Sequence, residues 1–224
     1  MRWYLLLLLL VLTGCGVSEP MEDASILPVQ AVPESEPAPM PEPEAADFVR
    51  VQEYLPDILV DLKYAGAENF TGQAVYDFTD AYLRYGTVQK LSSALDILMD
   101  QGYTLLIWDA FRPTHAQFRL WEICPDPVYV ANPETGFSSH SRGNTVDLTL
   151  AALDGEPVEM PTDFDDFSPL ADRDYSDVPA SAAANAQLLE DVLTACGFQP
   201  YTGEWWHFSD LDNYPVEESW SPPK

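Results

Sequence analysis

Basic residues are scarce in this sequence, which has 10 lysines and arginines against 37 aspartates and glutamates and a formal net charge of −27. Proteins that bind nucleic acids need clustered Lys and Arg to neutralise phosphates. The basic residues here form no cluster along the chain, so we expect no nucleic-acid partner. Histidine is scarce too, at three residues. One of them, His140, lies in the stretch SSHSRGNTVD at residues 138–147.

The N-terminal segment predicts export and lipid anchoring. Arg2 precedes the apolar run WYLLLLLLVLTG, which is too short to span a bilayer comfortably as a permanent helix. Residues 12–15 (LTGC) resemble a bacterial lipobox, which predicts a signal peptide over residues 1–14 and a lipid on Cys15. The alternatives are an ordinary cleaved signal or an uncleaved anchor. All three interpretations place the domain outside the cytoplasm.

The following segment, residues 15–46, is predicted to be a disordered tether. From residue 16 onward it is rich in Pro, Glu and Ala and contains no basic residue. Such a composition buries too little apolar surface to offset the entropy of ordering the chain, and frequent prolines keep it extended. The folded domain is therefore expected over residues 47–224. With 46% hydrophobic residues, the 224-residue chain can form one domain with a sizeable core.

Hydrophobic periodicity predicts an α+β domain with a mainly antiparallel sheet flanked by helices. The predicted helices cover residues 87–101, with Thr87 as N-cap, then a segment from Pro113 to about Glu122, and residues 181–196. The predicted strands cover residues 57–65, 103–110, 145–153, 198–201 and 205–210, and residues 69–77 are predicted to form a loop.

Two separate stretches carry candidate metal ligands, although the helical H-E-x-x-H motif is absent. A turn at Gly143 would leave His140 in a loop and Asp147 on the next strand, where both could reach one ion. The second stretch, GEWWHF at residues 203–208, supplies His207 as a third ligand and Glu204 as a general base. It would need a bend near Gly203, since a flat strand points residues three apart to opposite faces.

Each of these assignments has a simpler alternative. His140 and Asp147 could be a solvated loop histidine and a hydrogen-bonded aspartate, and WWHF could be an aromatic core strand. Arg112, at the end of an apolar strand, could stabilise the oxyanion of a tetrahedral intermediate or form a structural salt bridge. His115 could replace a ligand, but a place on the helix surface or beside the site is favoured.

Taken together, these stretches resemble the zinc signature of the VanX-type D-alanyl-D-alanine dipeptidases. The residues that carry the resemblance are Ser138-x-His140-x-x-Gly143-x-x-x-Asp147 and Glu204-x-x-His207, with SSHSRG, VDLTL, EWWH and FRP as close matches. Looser matches, NFTGQAVY and MPTDFDDF, extend it over about residues 48–215. One position departs from the family pattern, since Thr145 replaces a small alanine.

The resemblance implies an α+β zinc peptidase with one Zn²⁺ per chain, held by His140, Asp147 and His207, with Glu204 as general base and Arg112 stabilising the transition state. It also implies that Asp165 contacts the ammonium group of the substrate and that Ser138 or Ser139 binds near its carboxylate. The expected substrate is D-Ala-D-Ala or a related D,D-dipeptide, used in cell-wall turnover or recycling.

Two other functions stay open at the level of the sequence. One is a D,D-carboxypeptidase that trims peptidoglycan stem peptides with the same metal set. The other is a lipid-anchored binding module without turnover, which the presence of Glu204 and Arg112 disfavours. The remaining cysteines, Cys124 and Cys196, could pair, but their apolar helical settings favour free thiols.

Overall fold

A computed structural model describes residues 42–127 and 129–223 of the chain. The predicted signal peptide, Cys15 and most of the predicted tether lie outside the described residues. Residues 42–46, at the end of the predicted tether, contact the folded domain: the carbonyl of Ala45 accepts a hydrogen bond from the Gly86 backbone N–H at 3.0 Å. Among the helices that the structure describes, none has the length and apolar character needed to cross a membrane.

The strands form two sheets within the described part of the chain. They are β1 (Phe48–Arg50), β2 (Leu59–Val60), β3 (Tyr82–Arg84), β4 (Tyr103–Asp109), β5 (Thr145–Ala152), β6 (Phe198–Pro200) and β7 (His207–Asp210). The large sheet has the order β2-β4-β5-β7-β6, and only β2 and β4 pair in parallel. β1 and β3 form a separate antiparallel pair. The predicted α+β class with a mainly antiparallel sheet is confirmed.

The described residues also form four α-helices, two of which pack against the large sheet. The four are α1 (Val51–Tyr54), α2 (Tyr85–Met99), α3 (Thr114–Ile123) and α4 (Ala180–Ala195). α2 contacts β4 and α4, and α4 contacts β5 and β6. The apolar residues that predicted α2 all lie in the core, namely Val88, Leu91, Leu95 and Leu98. The central strand β5 is buried on both of its faces except at its last residue, so its polar side chains must find partners inside the protein.

Three predictions about local structure are wrong. The predicted strand at residues 57–65 pairs only at β2, and the chain then enters a 3₁₀ turn at Lys63–Ala65. α2 begins two residues earlier than predicted, and Thr87 is not its N-cap. Its hydroxyl instead donates a hydrogen bond to Asp210 Oδ2 at 2.8 Å, a tertiary contact that the capping rule could not anticipate. Trp205 and Trp206 precede β7 rather than forming part of it, although both are fully buried.

Candidate active site

The loop before β5 presents His140. Residues Ser139–Arg142 form a 3₁₀ turn, and the Ser138 hydroxyl accepts a hydrogen bond from the backbone N–H of His140. Gly143 ends the turn in the left-handed conformation, with φ of 76°, which glycine adopts without steric cost. The predicted reversal at Gly143 is confirmed, and it leaves His140 in the loop and Asp147 on β5.

A second turn, residues 201–207, presents Glu204 and His207. It connects β6 to β7, with the expected bend at residues 202–206. His207 pairs directly with Asp147 across the antiparallel β5 and β7 strands. Directly paired residues project to the same face of a sheet with their Cβ atoms about 5 Å apart, so strand register brings these two side chains together.

The predicted ligands converge. Asp147 Oδ1 lies 2.9 Å from His207 Nδ1, and Asp147 Oδ2 lies 3.3 Å from His140 Nε2. The two imidazole nitrogens, His140 Nε2 and His207 Nδ1, are 3.3 Å apart. One ligand atom from each residue lies within 4.8 Å of the others.

The chemistry of this cluster fits a metal ion. His140 Nδ1 lies 2.8 Å from the carbonyl of Ala110, so Nδ1 can donate its proton there and leave the Nε2 lone pair free for a metal. Asp147 Oδ1 is buried and faces His207 Nδ1 at 2.9 Å without an aligned hydrogen bond, so a cation between the two groups would offset the cost of burying the carboxylate. Two imidazoles and a carboxylate are the donor types that zinc takes in catalytic sites.

Burial and charge shift the pKa values of these ligands in the metal-free protein. Burial lowers the pKa of His140, but the carboxylates of Asp147 and Asp109 outweigh it, and the pKa lies above its usual value. Burial likewise raises the pKa of Asp147, but the imidazoles of His140 and His207 outweigh it, and the pKa lies below its usual value. The carboxylate therefore stays ionised and available as an anionic ligand.

Glu204 lies beside this cluster, with Oε2 3.6 Å from His207 Nδ1. Burial raises the pKa of its carboxyl. The side chain lines a cavity of about 310 Å³, and the three predicted ligands line the same cavity. A carboxyl at the edge of such a site, with a raised pKa, is suited to accept and return a proton.

Arg112 forms the structural salt bridge that was its simpler alternative, and it also lines the cavity. Its Nη2 and Nε donate to Asp109 Oδ2 at 2.6 and 3.2 Å, and its Nη1 donates to Gln117 Oε1 at 3.0 Å. Burial lowers the pKa of Arg112, but Asp109 outweighs it, so the guanidinium stays charged. A fixed positive charge thus faces the cavity.

The residues assigned to substrate binding also line the cavity, namely Ser138, Ser139 and Asp165. Asp165 adopts a left-handed conformation with φ of 59°. Its carboxylate accepts hydrogen bonds from the Tyr64 hydroxyl at 3.1 Å and the Phe70 backbone N–H at 3.3 Å. Burial is the main cause that raises its pKa to about 7. Ser139 Oγ lies 3.5 Å from His207 Nε2.

Asp109 is the main residue around the site that the sequence reasoning missed. It is fully buried, and besides Arg112 it accepts hydrogen bonds from the Tyr76 hydroxyl and the Ala110 N–H, at 2.7 and 2.9 Å. Its Oδ2 also lies 3.6 Å from His140 Nδ1. A signal was present, since Asp109 ends an apolar strand three residues before Arg112, where a buried carboxylate needs a cationic partner.

The structure also places the remaining residues that the sequence analysis singled out. His115 is exposed on α3, as favoured. Cys124 and Cys196 are free thiols, which confirms the favoured prediction. Thr145, the departure from the family pattern, is buried and lies 2.9 Å from the Ser209 hydroxyl on the neighbouring strand. Its extra hydroxyl is therefore hydrogen-bonded, which offsets the cost of burying it.

Comparisons with known proteins show the family of this chain. A family model described as Peptidase_M15, D-ala-D-ala dipeptidase, matches residues 44–221. The D-alanyl-D-alanine dipeptidase of Escherichia coli (strain K12) is 37% identical over 175 residues, which cover 77% of this chain and 90% of that protein. The protein of the same name from Enterococcus faecium is 33% identical over 189 residues, 75% of this chain and 94% of that protein.

Two solved structures show a more distant similarity. VanYB in complex with D-alanine-D-alanine aligns over 59% of this chain and 73% of that chain, with a TM-score of 0.39 and 15% identity. The LdcB LD-carboxypeptidase aligns over 61% of this chain and 64% of that chain, with a TM-score of 0.41 and 18% identity. On the family model and the sequence relatives, this chain belongs to the D-alanyl-D-alanine dipeptidase family of zinc metallopeptidases.

Proposed function

We propose that this protein hydrolyses free D-alanyl-D-alanine and related D,D-dipeptides with one Zn²⁺ held by His140, Asp147 and His207. The observation that carries the proposal is the convergence of these three side chains, from a loop and two strands, beside Glu204 in one cavity. The volume of about 310 Å³ lies at the small end of the usual range for ligand pockets, which suits a dipeptide. The named relatives support the same substrate.

The chain's own residues supply most of the proposed chemistry. A bound zinc would lower the pKa of a water molecule to about 7 and polarise the scissile carbonyl. Glu204 accepts the proton of the attacking water and then delivers it to the amine that leaves when the peptide bond breaks. Arg112 stabilises the developing negative charge on the carbonyl oxygen, because its guanidinium is already fixed in place by Asp109.

Recognition of both ends of the substrate would restrict the enzyme to free dipeptides. Asp165 pairs with the substrate ammonium group, and Ser138 or Ser139 donates a hydrogen bond near the carboxylate. A longer or acylated peptide lacks the free ammonium at this position, so the half-buried carboxylate of Asp165 would be left without a cationic partner.

We further propose that the domain acts outside the cytoplasm, anchored by a lipid on Cys15 and separated from the membrane by the segment up to residue 46. The sequence of residues 12–15 supports this. A dipeptidase in that location would recycle D-Ala-D-Ala released from the cell wall. The test is fractionation of cells: the wild-type protein should stay with membranes, and Cys15→Ala should not. A cytoplasmic pool of unprocessed wild-type protein would contradict the proposal.

The decisive experiment combines metal analysis with hydrolysis of the four Ala-Ala stereoisomers. We expect one zinc per chain and cleavage of D-Ala-D-Ala, with Glu204→Ala retaining the metal and losing turnover. An acylated tripeptide ending in D-Ala-D-Ala serves as the competing substrate. Cleavage of that peptide and not of the free dipeptide would identify a carboxypeptidase, and metal binding without cleavage of either would identify a binding module.

A further inference from the structure

The turn at residues 201–207 must hold two groups in a defined geometry, because it carries the proposed base and one proposed ligand three residues apart. Few backbone hydrogen bonds form within the turn itself. Tyr201 N–H donates to the His207 carbonyl at 3.1 Å, and the inner bonds, Glu204 N–H to Tyr201 and His207 N–H to Glu204, are longer, at 3.4 and 3.3 Å. Gly203 adds conformational freedom at its centre. Contacts from outside the turn must therefore fix its shape.

One side chain outside the turn binds both of its ends. Arg173 Nε donates to the Tyr201 carbonyl at 2.7 Å, and Arg173 Nη2 donates to the His207 carbonyl at 3.1 Å. The guanidinium also lies over the ring of Phe208, 4.5 Å from its centroid. Arg173 thus spans the first and last residues of the turn with two donors of one rigid group.

Arg173 is itself held in place. Its Nη1 pairs with Glu190 Oε2 on α4 at 2.9 Å and donates to the Tyr175 hydroxyl at 3.2 Å. The same Glu190 oxygen accepts a hydrogen bond from that hydroxyl at 2.9 Å. The side chain of Arg173 is only 9% exposed. Its charge is therefore paired on one side, while its remaining donors point at the turn.

The segment that precedes Arg173 in the chain also binds the turn. The carbonyl of Ala171 accepts a hydrogen bond from the Trp205 backbone N–H at 2.9 Å. The Thr162 hydroxyl accepts one from the Trp205 ring N–H, also at 2.9 Å. Asp165, the proposed partner of the substrate ammonium, lies in the same segment between these two residues. The turn with the catalytic groups is thus attached to the segment that binds substrate.

We propose that Arg173 is a positioning residue that sets the geometry of Glu204 and His207 by clamping the two ends of their turn. It does not line the cavity and acts through the backbone of the turn. Only arginine suits this role, because its planar guanidinium presents several donors in a fixed fork, whereas lysine offers a single nitrogen. The inference rests on the proposed function for its catalytic consequence, but the effect on metal binding can be measured independently.

The test compares Arg173→Ala and Arg173→Lys in the full-length protein. Loss of an outer partner of a metal ligand typically reduces metal affinity or activity by about 10- to 100-fold. We expect a loss of that size in zinc affinity, measured by competition with a chelator, for both variants. In kinetics with D-Ala-D-Ala, kcat should fall more than KM rises, because the groups proposed to hold the ends of the substrate lie outside the turn. Millimolar guanidinium should partly restore Arg173→Ala.

A matched control is Arg50→Ala. Arg50 forms an ion pair with Asp80 at 2.9 Å, with both side chains 39% exposed, so its side chain is engaged away from the turn. This variant should keep the zinc affinity and the kinetics of the wild type, and guanidinium should not change them.

Several outcomes would overturn the inference. Wild-type zinc affinity and kcat in Arg173→Ala would show that the turn holds its shape alone, and full activity in Arg173→Lys would show that charge suffices. Should Arg173→Ala fail to fold, the lysine variant, which keeps the charge beside Glu190, decides the question. If the wild type binds zinc but cleaves no dipeptide, the proposed function fails, while the zinc affinities still test the clamp.

Discussion

Asp165 combines an unfavourable backbone conformation with an unfavourable place for a charge. A φ of 59° is rare outside glycine but is tolerated by aspartate and asparagine. Burial is the main cause that raises the pKa of its carboxyl from the ordinary 3.8 to about 7, and the carboxylate of Asp147 adds to the effect. Hydrogen bonds from Tyr64 and Phe70, together with the charge of Arg112, act in the opposite direction without cancelling it.

This raised pKa predicts how Asp165→Asn changes stability with pH in the metal-free protein. The folded state binds the proton of Asp165 more tightly than the unfolded state does. The stabilising contribution of the protonated carboxyl is therefore fully present below the unfolded pKa and is lost as pH rises through about 7. Above that pH the wild type carries a half-buried ionised carboxylate, and the asparagine variant carries no charge there. We expect Asp165→Asn to be more stable by about 1–3 kcal/mol at pH 8, because the half-buried ionised carboxylate is disfavoured while altered hydrogen bonds and solvent screening offset part of the gain.

Urea unfolding at pH 8 and pH 5 measures this difference. The gain should shrink at pH 5, where both side chains are largely uncharged. An equal effect at the two pH values would contradict the role of ionisation. In the zinc-loaded enzyme, the same variant should lose the preference for free dipeptides over N-acylated ones, and an unchanged preference would exclude Asp165 as the ammonium partner.

Arg112 has a structural role that will complicate any test of the catalytic role proposed for it. Asp109 is fully buried, and its nearest cationic partner among the described residues is Arg112 at 2.6 Å. Removing one member of a buried ion pair typically costs about 3–5 kcal/mol, because the other charge stays buried without compensation. We expect a loss of that size in the free energy of unfolding for Arg112→Met, measured with urea.

Arg119→Met is the matched control for Arg112→Met. Arg119 pairs with Glu122 at 3.1 Å, with both side chains more than half exposed, and exposed pairs contribute about 0–1 kcal/mol. Equal losses in the two variants would show that the ion pair of Arg112 is not critical for stability. Arg112→Lys retains the charge and is the better variant for activity, where its loss should appear in kcat.

At the scale of elements, Gly143 connects the loop that carries His140 to the antiparallel pair of β1 and β3. It has φ of 76°, its N–H donates to the His140 carbonyl, and its carbonyl accepts from the Arg84 N–H. A Cβ atom on Gly143 would lie 2.3 Å from Cε1 of the Phe48 ring. Replacement by alanine would therefore meet both an unfavourable backbone conformation and a steric clash.

Gly143→Ala should lose about 2–5 kcal/mol of stability, the sum of a left-handed backbone penalty and a typical overpacking penalty. Because the clash displaces the loop that carries His140, the zinc affinity of the variant should fall as well. Thermal unfolding and chelator competition measure the two effects. Gly155→Ala is the control, since it has a similar φ of 88° but its nearest contact would be at 3.8 Å, and it should lose only the backbone part.

The sequence predicted the elements whose pattern is local. The spacing of Val88, Leu91, Leu95 and Leu98 indicated α2, and the apolar run YTLLIWDA indicated β4. The three-residue strands β1 and β3 were missed because they are specified by a distant pairing with each other. The predicted strand at residues 57–65 was too long for the same reason, since its length depends on pairing with β4.

The residues of the candidate site likewise fall into those that the sequence indicated and those that it did not. The metal ligands and Glu204 are residue types with distinctive chemistry at a recognisable spacing, so the sequence indicated them. Asp109 was missed although its position three residues before Arg112 is a local signal, whereas Arg173 acts on groups that only the fold brings near. Arg173 contacts Tyr201 and His207, 28 and 34 residues away, and no local pattern records such a contact.

At the scale of the whole molecule, the proposed metal site lies on an apolar core that can form without it. β4, β5 and β7 bring the site together, while the core beneath them consists of apolar residues from the sheet, α2 and α4. Small zinc-dependent folds differ, because they lack such a core and unfold when the metal is removed. This protein should therefore remain folded without zinc.

Zinc should nevertheless stabilise the folded domain, because the three ligands converge only in the native state. At free zinc about 100 times the dissociation constant, the gain is about 2.7 kcal/mol, which corresponds to a rise of roughly 5–10 °C in Tm for a domain of this size. Thermal scans with chelator and with buffered zinc measure it. His207→Ala should retain a cooperative transition and lose most of the zinc-dependent rise. Loss of cooperative unfolding in chelator would instead mean that the metal organises the fold, and an unchanged Tm with zinc would mean that the three side chains bind no zinc in the native state.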